Sequence, residues 1–566
     1  MIHLTIDGEP IEVKEGTTIL EAAKLLNVHI PTLCHHEDQA VKAVCRICVV
    51  EVEGQRLLPA ACSTPVTEGM VVKTASPKVI KARKNIMELI LARHPQDCLV
   101  CSKNGSCELQ KVAKDMNMNR PNRYEMQVRD ARFDNSSPSI VRDMSKCILC
   151  NRCVEACSKK QGVMVMAKEN RGFDTVVVPP YGKLLADTSC VNCGQCIQVC
   201  PVGALSVYDD TERIYEQINA GKYMTVQIAP SVRITLAESL GYKPGTVTTG
   251  KIVHALRKIG FHKVFDSDFT ADLTIMEEGT EFLHRMQNHG TLPLITSCCP
   301  AWVKYCETYG YDQLDHLSTA KSPQQMFGAV IKTFFAEKEK IDPKDICSVS
   351  VMPCTAKKFE KERPQLQKNG IKDVDAVLTT RELAKLIKRS GINFAKLPNE
   401  EFDQDLMGEY TGAGVIFGAT GGVMEAALRT AYHELTGKEY EAVEFTAVRG
   451  MQGLKEATLN IAGSEIKVAV ASGMRNAKVL MDEIRSGKSP YTFIEIMGCP
   501  GGCVNGGGQP YVKPCFLPNE DNNILDTYKE KRAQALYSED ERQKVRQSHN
   551  NKQVQKLYSD FLGKPN

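Results

Sequence analysis

The feature that confines this chain most is a cysteine phrase written twice. Cys147-x2-Cys150-x2-Cys153-x3-Cys157 is followed by Cys190-x2-Cys193-x2-Cys196-x3-Cys200-Pro201. In such a pair, short loops let three thiolates cap one cube while the three-residue step carries the fourth across to the other. The spacing assigns Cys147, Cys150, Cys153 and Cys200 to one 4Fe–4S centre, and Cys190, Cys193, Cys196 and Cys157 to a second. Two zinc sites fit poorly, because tetrahedral zinc closes at four ligands and rarely repeats this spacing. Ser158 stands where the first run would carry proline, which affects a turn and not a ligand.

The rest of the composition narrows the class. A length of 566 residues leaves room for several domains. Twenty-three cysteines behind an N-terminus, MIHLTIDGEP, that is no export signal imply reduced thiols serving metals. A cytoplasmic placement in an anaerobic or tightly reducing host is expected, since clusters and thiolates oxidise readily. A net charge of +3, with no basic tail or aromatic-interleaved basic stripe, gives no case for nucleic acid. No run of 18 apolar residues predicts a membrane span.

Residues 1–80 read as a small β-rich unit. Strands are predicted over 1–6 and 10–14 around Asp7-Gly8, and over 48–52 and 56–59 around Glu53-Gly54. Thr17 or Thr18 caps a short helix that runs through Leu26. Cys34, Cys45, Cys48 and Cys62 in this setting suggest a 2Fe–2S cluster, although the spacing departs from the plant-type run. Residues 80–135 read as helical and basic, and hold His94-x3-Cys98-x2-Cys101-x5-Cys107. Zinc is a rival there on spacing alone. The flanking clusters favour iron–sulfur, because an isolated zinc would interrupt an electron path.

Beyond Tyr223 the texture becomes alternating strands and helices, the pattern of α/β layering with parallel strands. Strands are predicted over 224–229, 263–266, 292–296, 348–352, 375–379, 466–472 and 493–497. Helices are predicted over 251–259, 278–287, 381–388 and 477–485. The last fifty or so residues are polar, with helical stretches around 529–537 and 551–561, and read as a peripheral wrap or docking tail.

Three of these strands run into cysteine motifs: Ser297-Cys298-Cys299-Pro300-Ala301-Trp302, Pro353-Cys354-Thr355-Ala356-Lys357-Lys358, and Gly498-Cys499-Pro500-Gly501-Gly502-Cys503 followed by Val504-Asn505-Gly506-Gly507-Gly508. Sites in α/β folds collect at the carboxyl ends of strands, so loops distant in sequence can converge. Cys299, Cys354, Cys499 and Cys503 would supply four thiolates, and the glycines let backbone approach a bulky group. A plain relay cluster needs no more than that. The adjacent thiol Cys298, the lysine after Cys354 and the glycine-rich bed point to further chemistry.

TSCCPAW, MPCTAKKFE and EIMGCPGGCVNGGGQP together resemble the three signatures of FeFe-hydrogenases. The N-terminal cluster domains are similar to those of the long monomeric clostridial type, and the resemblance covers essentially the whole chain. The implied fold is multidomain α+β and α/β. It comprises a β-grasp, plant-ferredoxin-like 2Fe–2S domain (1–80), a small helical His/Cys 4Fe–4S domain (81–135), a bacterial-ferredoxin-like two-cluster domain (136–208), a large α/β catalytic domain (209–515) and a C-terminal tail (516–566). The implied cofactors are one 2Fe–2S cluster, three accessory 4Fe–4S clusters and an H-cluster. The H-cluster is a cube, on Cys299, Cys354, Cys499 and Cys503, joined through Cys503 to a diiron unit with CO, cyanide and an amine dithiolate. Gly498 stands where the family usually has alanine, which bears on local packing.

The resemblance also implies roles. Lys357 suits a cyanide ligand, because an ammonium is a compact point charge. Pro230, Ser231, Gln324, Met352, Phe417 and Met497 would line the pocket, although on sequence alone the methionines and Phe417 read as core. Cys298, left free beside Cys299, is the expected last proton donor, with Glu278, Glu281 and Ser318 behind it and Arg285 near the surface end. From spacing alone Glu278 and Glu281 would be a solvated helix face. Cys306, Cys347 and Cys515 have no cluster to serve and read as small buried hydrophobes.

The activity this implies is reversible hydrogen production and oxidation by a monomer, with reduced ferredoxin or flavodoxin as partner and maturation proteins delivering the diiron unit. One rival is a non-catalytic iron–sulfur assembly protein of the hydrogenase-like class, which would be expected to lack Cys298, Lys357 and the proton chain. A second is the electron-input subunit of an NAD-linked or bifurcating complex. Without a flavin or dinucleotide fingerprint here, that activity would need partner subunits. A sensory hydrogenase is disfavoured by the intact Cys298.

Overall fold

The structure is a computed structural model that describes residues 1–118, 123–129, 133–439, 445–461, 464–512 and 524–565. The N-terminal unit is a four-stranded sheet in the order Glu9–Val13, Ile2–Ile6, Met70–Lys73, Glu51–Val52. The Ile2–Ile6 and Glu9–Val13 strands pair antiparallel through Asp7-Gly8, both at positive φ. Thr18 is the N-cap of the Ile19–Leu25 helix, with a reciprocal capping box to Glu21. The predicted strand over 56–59 does not form. The chain folds back through an isolated Val49–Ala60 bridge, and Glu51–Val52 pairs with Met70–Lys73 instead. Exposed Leu57 offers no apolar face to bury there.

The next unit carries a long helix, Pro77–Ala92, and a short one, Glu108–Asp115, with its cysteines on the irregular chain between and beside them. A three-stranded antiparallel sheet (Phe133–Asp134, Ile140–Asp143, Leu205–Val207) then frames the doubled cysteine run.

Two four-stranded sheets build the catalytic region. The first is wholly parallel: Lys263–Asp266, Tyr223–Ile228, Ile346–Met352, Ala376–Thr379. The second runs Leu294–Ile295, Phe493–Met497, Ser464–Ser472, Leu454–Ile461, with only the last pair antiparallel. The edge strand Leu454–Ile461 is absent from the sequence reading, because LKEATLNI interleaves too many polar residues to register as an apolar run. The helix predicted over 278–287 begins earlier, as Asp268–Gln287. Its first two turns are buried all round, which erases the amphipathic signal.

Of the two readings of the polar C-terminal region, the structure shows a wrap packed against the catalytic region. Within the Ile524–Arg542 helix, buried Arg532 pairs with Glu238 and donates to the Val504 carbonyl, and buried Asp540 pairs with Arg429. Ser548 and Asn551 both donate to buried Asp272. Polar residues that pair in the interior look like surface in a composition count. Among the described residues no helix is long and apolar enough to cross a membrane.

Candidate active site and its cluster relay

The strand ends place the chemistry. Leu294–Ile295 and Phe493–Met497 are neighbours in one sheet, and Ile346–Met352 is central in the other, so three loops leave parallel strands toward one region. There Cys299, Cys354, Cys499 and Cys503 come within mutual electrostatic range. Burial pushes the Cys354 thiol up to about 12 and raises Cys499 and Cys503 as well, each further opposed by its neighbours. Four crowded thiolates are untenable without a cationic centre, and binding one would expel their protons. The donor set therefore fits an iron–sulfur cube.

The Gly498 N–H donates to Cys299 Sγ at 3.3 Å. A Cβ at Gly498 would lie 2.6 Å from Met474 Cε and 3.3 Å from Cys299 Sγ. The Met474 side chain thus fills the space an alanine methyl would need. A Cβ at Gly506 would strike the Pro353 carbonyl, and one at Gly508 would lie 2.9 Å from the same oxygen, so the glycine bed brings the Cys503 loop against the Cys354 loop.

Lys357 is buried, with Nζ donating to the Cys298 carbonyl at 3.0 Å and to Glu360 at 3.0 and 3.1 Å. Gln324 donates to the same Glu360 at 2.9 Å, while its Oε1 is buried without a partner among the described residues. Glu360, three residues beyond Lys357 in the motif, escaped the sequence reading although it anchors both side chains. So did Gln509, which donates to Ser231 Oγ at 3.2 Å and to the Cys503 carbonyl at 3.2 Å. Pro230 and Ser231 follow the Tyr223–Ile228 strand, and Met352, Phe417 and Met497 are all buried. Phe417 and Met497 share one apolar cluster, against which Cys298 packs.

Behind Cys298 lies an acidic line. Glu278 is fully buried, and burial lifts its carboxyl from 4.5 to about 7, against hydrogen bonding from Ser297 and Ser318 that lowers it. Its charge in turn raises the Cys298 thiol, whose own burial is the larger cause. Ser318 Oγ donates to Glu281 at 2.9 Å, and Arg285 holds Glu281 at 2.6 Å. Arg285 also donates to the Asp315, Leu317 and Thr291 carbonyls, which fixes this end near solvent.

The other cysteines gather in sets. One cavity is lined by Cys157, Cys190, Cys193 and Cys196, and a second by Cys147, Cys150, Cys153 and Cys200. Each collects three cysteines of one run and the fourth of the other. In the N-terminal unit Cys48 and Cys62 lie 3.4 Å apart, and Cys34 is within hydrogen-bonding reach of Cys45. His94 is kept neutral by burial, and its Nδ1 has no partner among the described residues, which suits a metal ligand. Cys101 packs against Gly203, where a Cβ would come within 2.5 Å of its sulfur. His94→Ala is expected to remove or alter one reduced-cluster resonance while the others persist; an unchanged spectrum would exclude His94 as a ligand. Cys306 and Cys347 are buried, and Cys515 lies outside the described residues.

The two-cluster unit abuts the catalytic loops directly. Thr355 Oγ1 donates to the Asn192 carbonyl at 2.6 Å, and Gln198 donates to the Gly506 and Gln509 carbonyls at 2.7 and 3.0 Å. A Cβ at Gly507 would strike the Cys193 carbonyl and lie 2.8 Å from Gly194 Cα. Cys193 is thereby set within electrostatic range of Cys354 and Cys499.

Comparison with known proteins accords with this arrangement. Residues 222–507 match the family described as iron only hydrogenase large subunit, C-terminal domain. Residues 1–77 match a 2Fe-2S iron-sulfur cluster binding domain, and residues 83–122 an NADH-ubiquinone oxidoreductase-G iron-sulfur binding region. Residues 146–204 match a 4Fe-4S dicluster domain and residues 526–566 the iron hydrogenase small subunit. The chain is 50% identical to the NADP-reducing hydrogenase subunit HndD of Solidesulfovibrio fructosivorans, over 100% of its own length and 96% of that protein. It is 43% identical to iron hydrogenase 1 of Clostridium pasteurianum, over 100% and 97%. A solved structure of a variant of the [FeFe]-hydrogenase HydA1 from Chlamydomonas reinhardtii superposes with a TM-score of 0.55 at 39% identity, covering 63% of this chain and 96% of that one.

Proposed function

We propose, for a chain that belongs to the iron-only hydrogenase family and is therefore a hydrogenase, that it interconverts dihydrogen with protons and electrons at a site built on Cys299, Cys354, Cys499 and Cys503. The observation that carries this is the convergence of three strand-end loops on four thiols, with Cys298 between that set and a buried glutamate. When bound, an H-cluster would supply the redox-active iron chemistry for making or splitting the H–H bond.

The protein's part is to hold, orient and deliver. Cys298 holds the thiol proton nearest the reacting centre and exchanges it with Glu278, whose elevated pKa leaves both protonation states populated near neutrality. Ser318 passes the proton between Glu278 and Glu281, and Arg285 keeps Glu281 at the outer end. Lys357 presents a buried ammonium to an anionic ligand, its orientation set by Glu360 and the Cys298 carbonyl. Half-buried Pro230 and buried Ser231, Gln324, Met352, Phe417 and Met497 line the pocket.

Electrons arrive through the N-terminal units, from ferredoxin or flavodoxin. Their last step is between the Cys190, Cys193, Cys196 and Cys157 site and the catalytic cysteines, across the Gly194–Gly507 contact. Domain limits of 1–80, 81–135, 136–208, 209–515 and 516–566 accompany this reading. Infrared spectra after loading a synthetic diiron unit test the site: CO and cyanide bands are expected, and their absence from a cube-replete protein would contradict it. Gly507→Val should push the two loops apart, so dye-driven hydrogen evolution falls while hydrogen–deuterium exchange, which needs no external electrons, persists. Equal loss of both would mean the contact serves the site and not the transfer.

The 50% identity to a subunit of an NADP-reducing hydrogenase favours a second reading, in which this chain handles hydrogen within a larger pyridine-nucleotide-linked assembly. Co-purification of partner subunits with NADP-dependent hydrogen uptake would support it, and full ferredoxin-linked activity from the isolated chain would favour the first.

A further inference from the structure

We propose that His433, Glu439 and His549 form a site for a divalent metal of the zinc class, separate from every cysteine cluster and joining the catalytic region to the C-terminal segment. The site is assembled from distant parts of the chain. The Gly422–Thr436 helix carries His433 in its last turn, and Gly437, in the left-handed conformation at the helix end, reverses the chain so that Glu439 returns beside it. The Ser548–Asn550 turn brings in His549.

The donor atoms of these three side chains lie within 4.8 Å of one another. His549 Nε2 is 3.2 Å from Glu439 Oε1 and 3.4 Å from Oε2, and His433 Nε2 is 4.0 Å from Oε1. The two imidazoles stack face to face, 4.1 Å between centroids at 16°.

His549 is buried at 6% exposure, whereas Glu439 is exposed and His433 half-buried. An ion can therefore reach the site, and the two outer side chains can swing inward to the ~2.0–2.2 Å that zinc requires. Thr430 Oγ1 lies 3.3 Å from His549 Nδ1, so Nε2 is the nitrogen turned toward the carboxylate. That is the orienting contact a metal-bound histidine uses. Two imidazoles and one carboxylate, with no sulfur, suit zinc and leave one position for water; the same donors also suit ferrous iron, and none of the cysteine clusters shares them.

The bond would pin the end of the Gly422–Thr436 helix to the segment whose Asp540 and Arg546 already engage that helix through Arg429. No redox or transfer chemistry is assigned to it.

The test uses the anaerobic full-length protein with its clusters complete, incubated with a slight excess of zinc chloride, desalted, and assayed for zinc and iron together. The wild type is expected to keep one zinc per chain above background. Glu439→Gln and His433→Gln, both at accessible positions, should lose it with iron unchanged. Thr430→Val should weaken zinc by about 10–100-fold, the range for removing a contact that orients a metal-bound histidine. Zinc should also slow proteolysis of the C-terminal segment in the wild type alone. Equal zinc in the wild type and Glu439→Gln, or none above background in the wild type, would overturn the proposal.

Discussion

Cys298→Ala is expected to cut hydrogen turnover by about 10²–10⁴-fold, the range lost with a positioned proton donor, while iron content and cluster spectra stay those of the parent. The side chain is half-buried, packs beside Phe417 and Met497, and reports the charges of Glu278, Lys357 and the neighbouring cysteines. Removing its sulfur leaves Cys299 and the other three proposed ligands in place, and Lys357 keeps its hydrogen bond to the residue-298 carbonyl because that bond is to backbone. The defect should therefore appear in turnover and not in assembly. Near-normal turnover at full iron content would take Cys298 out of the relay.

Glu278→Gln should bring a comparable loss of turnover while raising stability at neutral pH. A buried carboxyl lifted from 4.5 to about 7 holds its proton in the folded protein over a range where the unfolded chain has released it. Its contribution to stability is full below the unfolded value and is lost as pH rises through the folded one, a swing of about 3 kcal/mol. The substituted amide cannot ionise, so the variant should match the parent in acid, pull ahead of it as pH rises above ~4.5, and exceed it by about 3 kcal/mol above pH ~7, as read by denaturant midpoints at several pH values. Turnover should fall at every pH, because the amide cannot shuttle a proton. Unchanged activity would direct the proton through another path. Unchanged pH-dependence of stability would mean Glu278 ionises as an exposed acid does.

The parts of this molecule that were legible in its sequence are those with local spacing. The doubled run, the His94 to Cys107 group and the three strand-end motifs each carry their proposed ligands close together in sequence, and the strands feeding the last three are short apolar runs. The Phe493–Met497 and Lys263–Asp266 strands need no tertiary help to be seen. What stayed hidden depends on partners far along the chain. Glu278 looks like half of a solvated pair until Asp268–Gln287 is found buried over most of its length. Arg532, Asp540 and Ser548 are polar letters in a polar tail, and only their pairing with Glu238, Arg429 and Asp272 makes them interior. The strand at Leu454–Ile461 is held by its ladder to Ser464–Ser472 and not by an apolar pattern. His433 and His549 are separated by more than a hundred residues, and no spacing rule joins them.

The contact between the cluster relay and the catalytic loops has the same origin. Gly194 and Gly507 belong to unrelated motifs: a Cβ at Gly507 would strike the Cys193 carbonyl, and one at Gly194 would strike Thr355 and lie 3.1 Å from Gly507 Cα. The family resemblance names the motifs, whereas the structure supplies the reason that these glycines face one another.

Hydrogen evolution from reduced methyl viologen tests the central claim most directly, using anaerobic protein with all cubes present and a synthetic diiron unit supplied. The account predicts rapid evolution that depends on the diiron unit and collapses in Cys298→Ala. No evolution despite confirmed uptake of the diiron unit would contradict it, and would assign these four cysteines to sensing or assembly instead of catalysis.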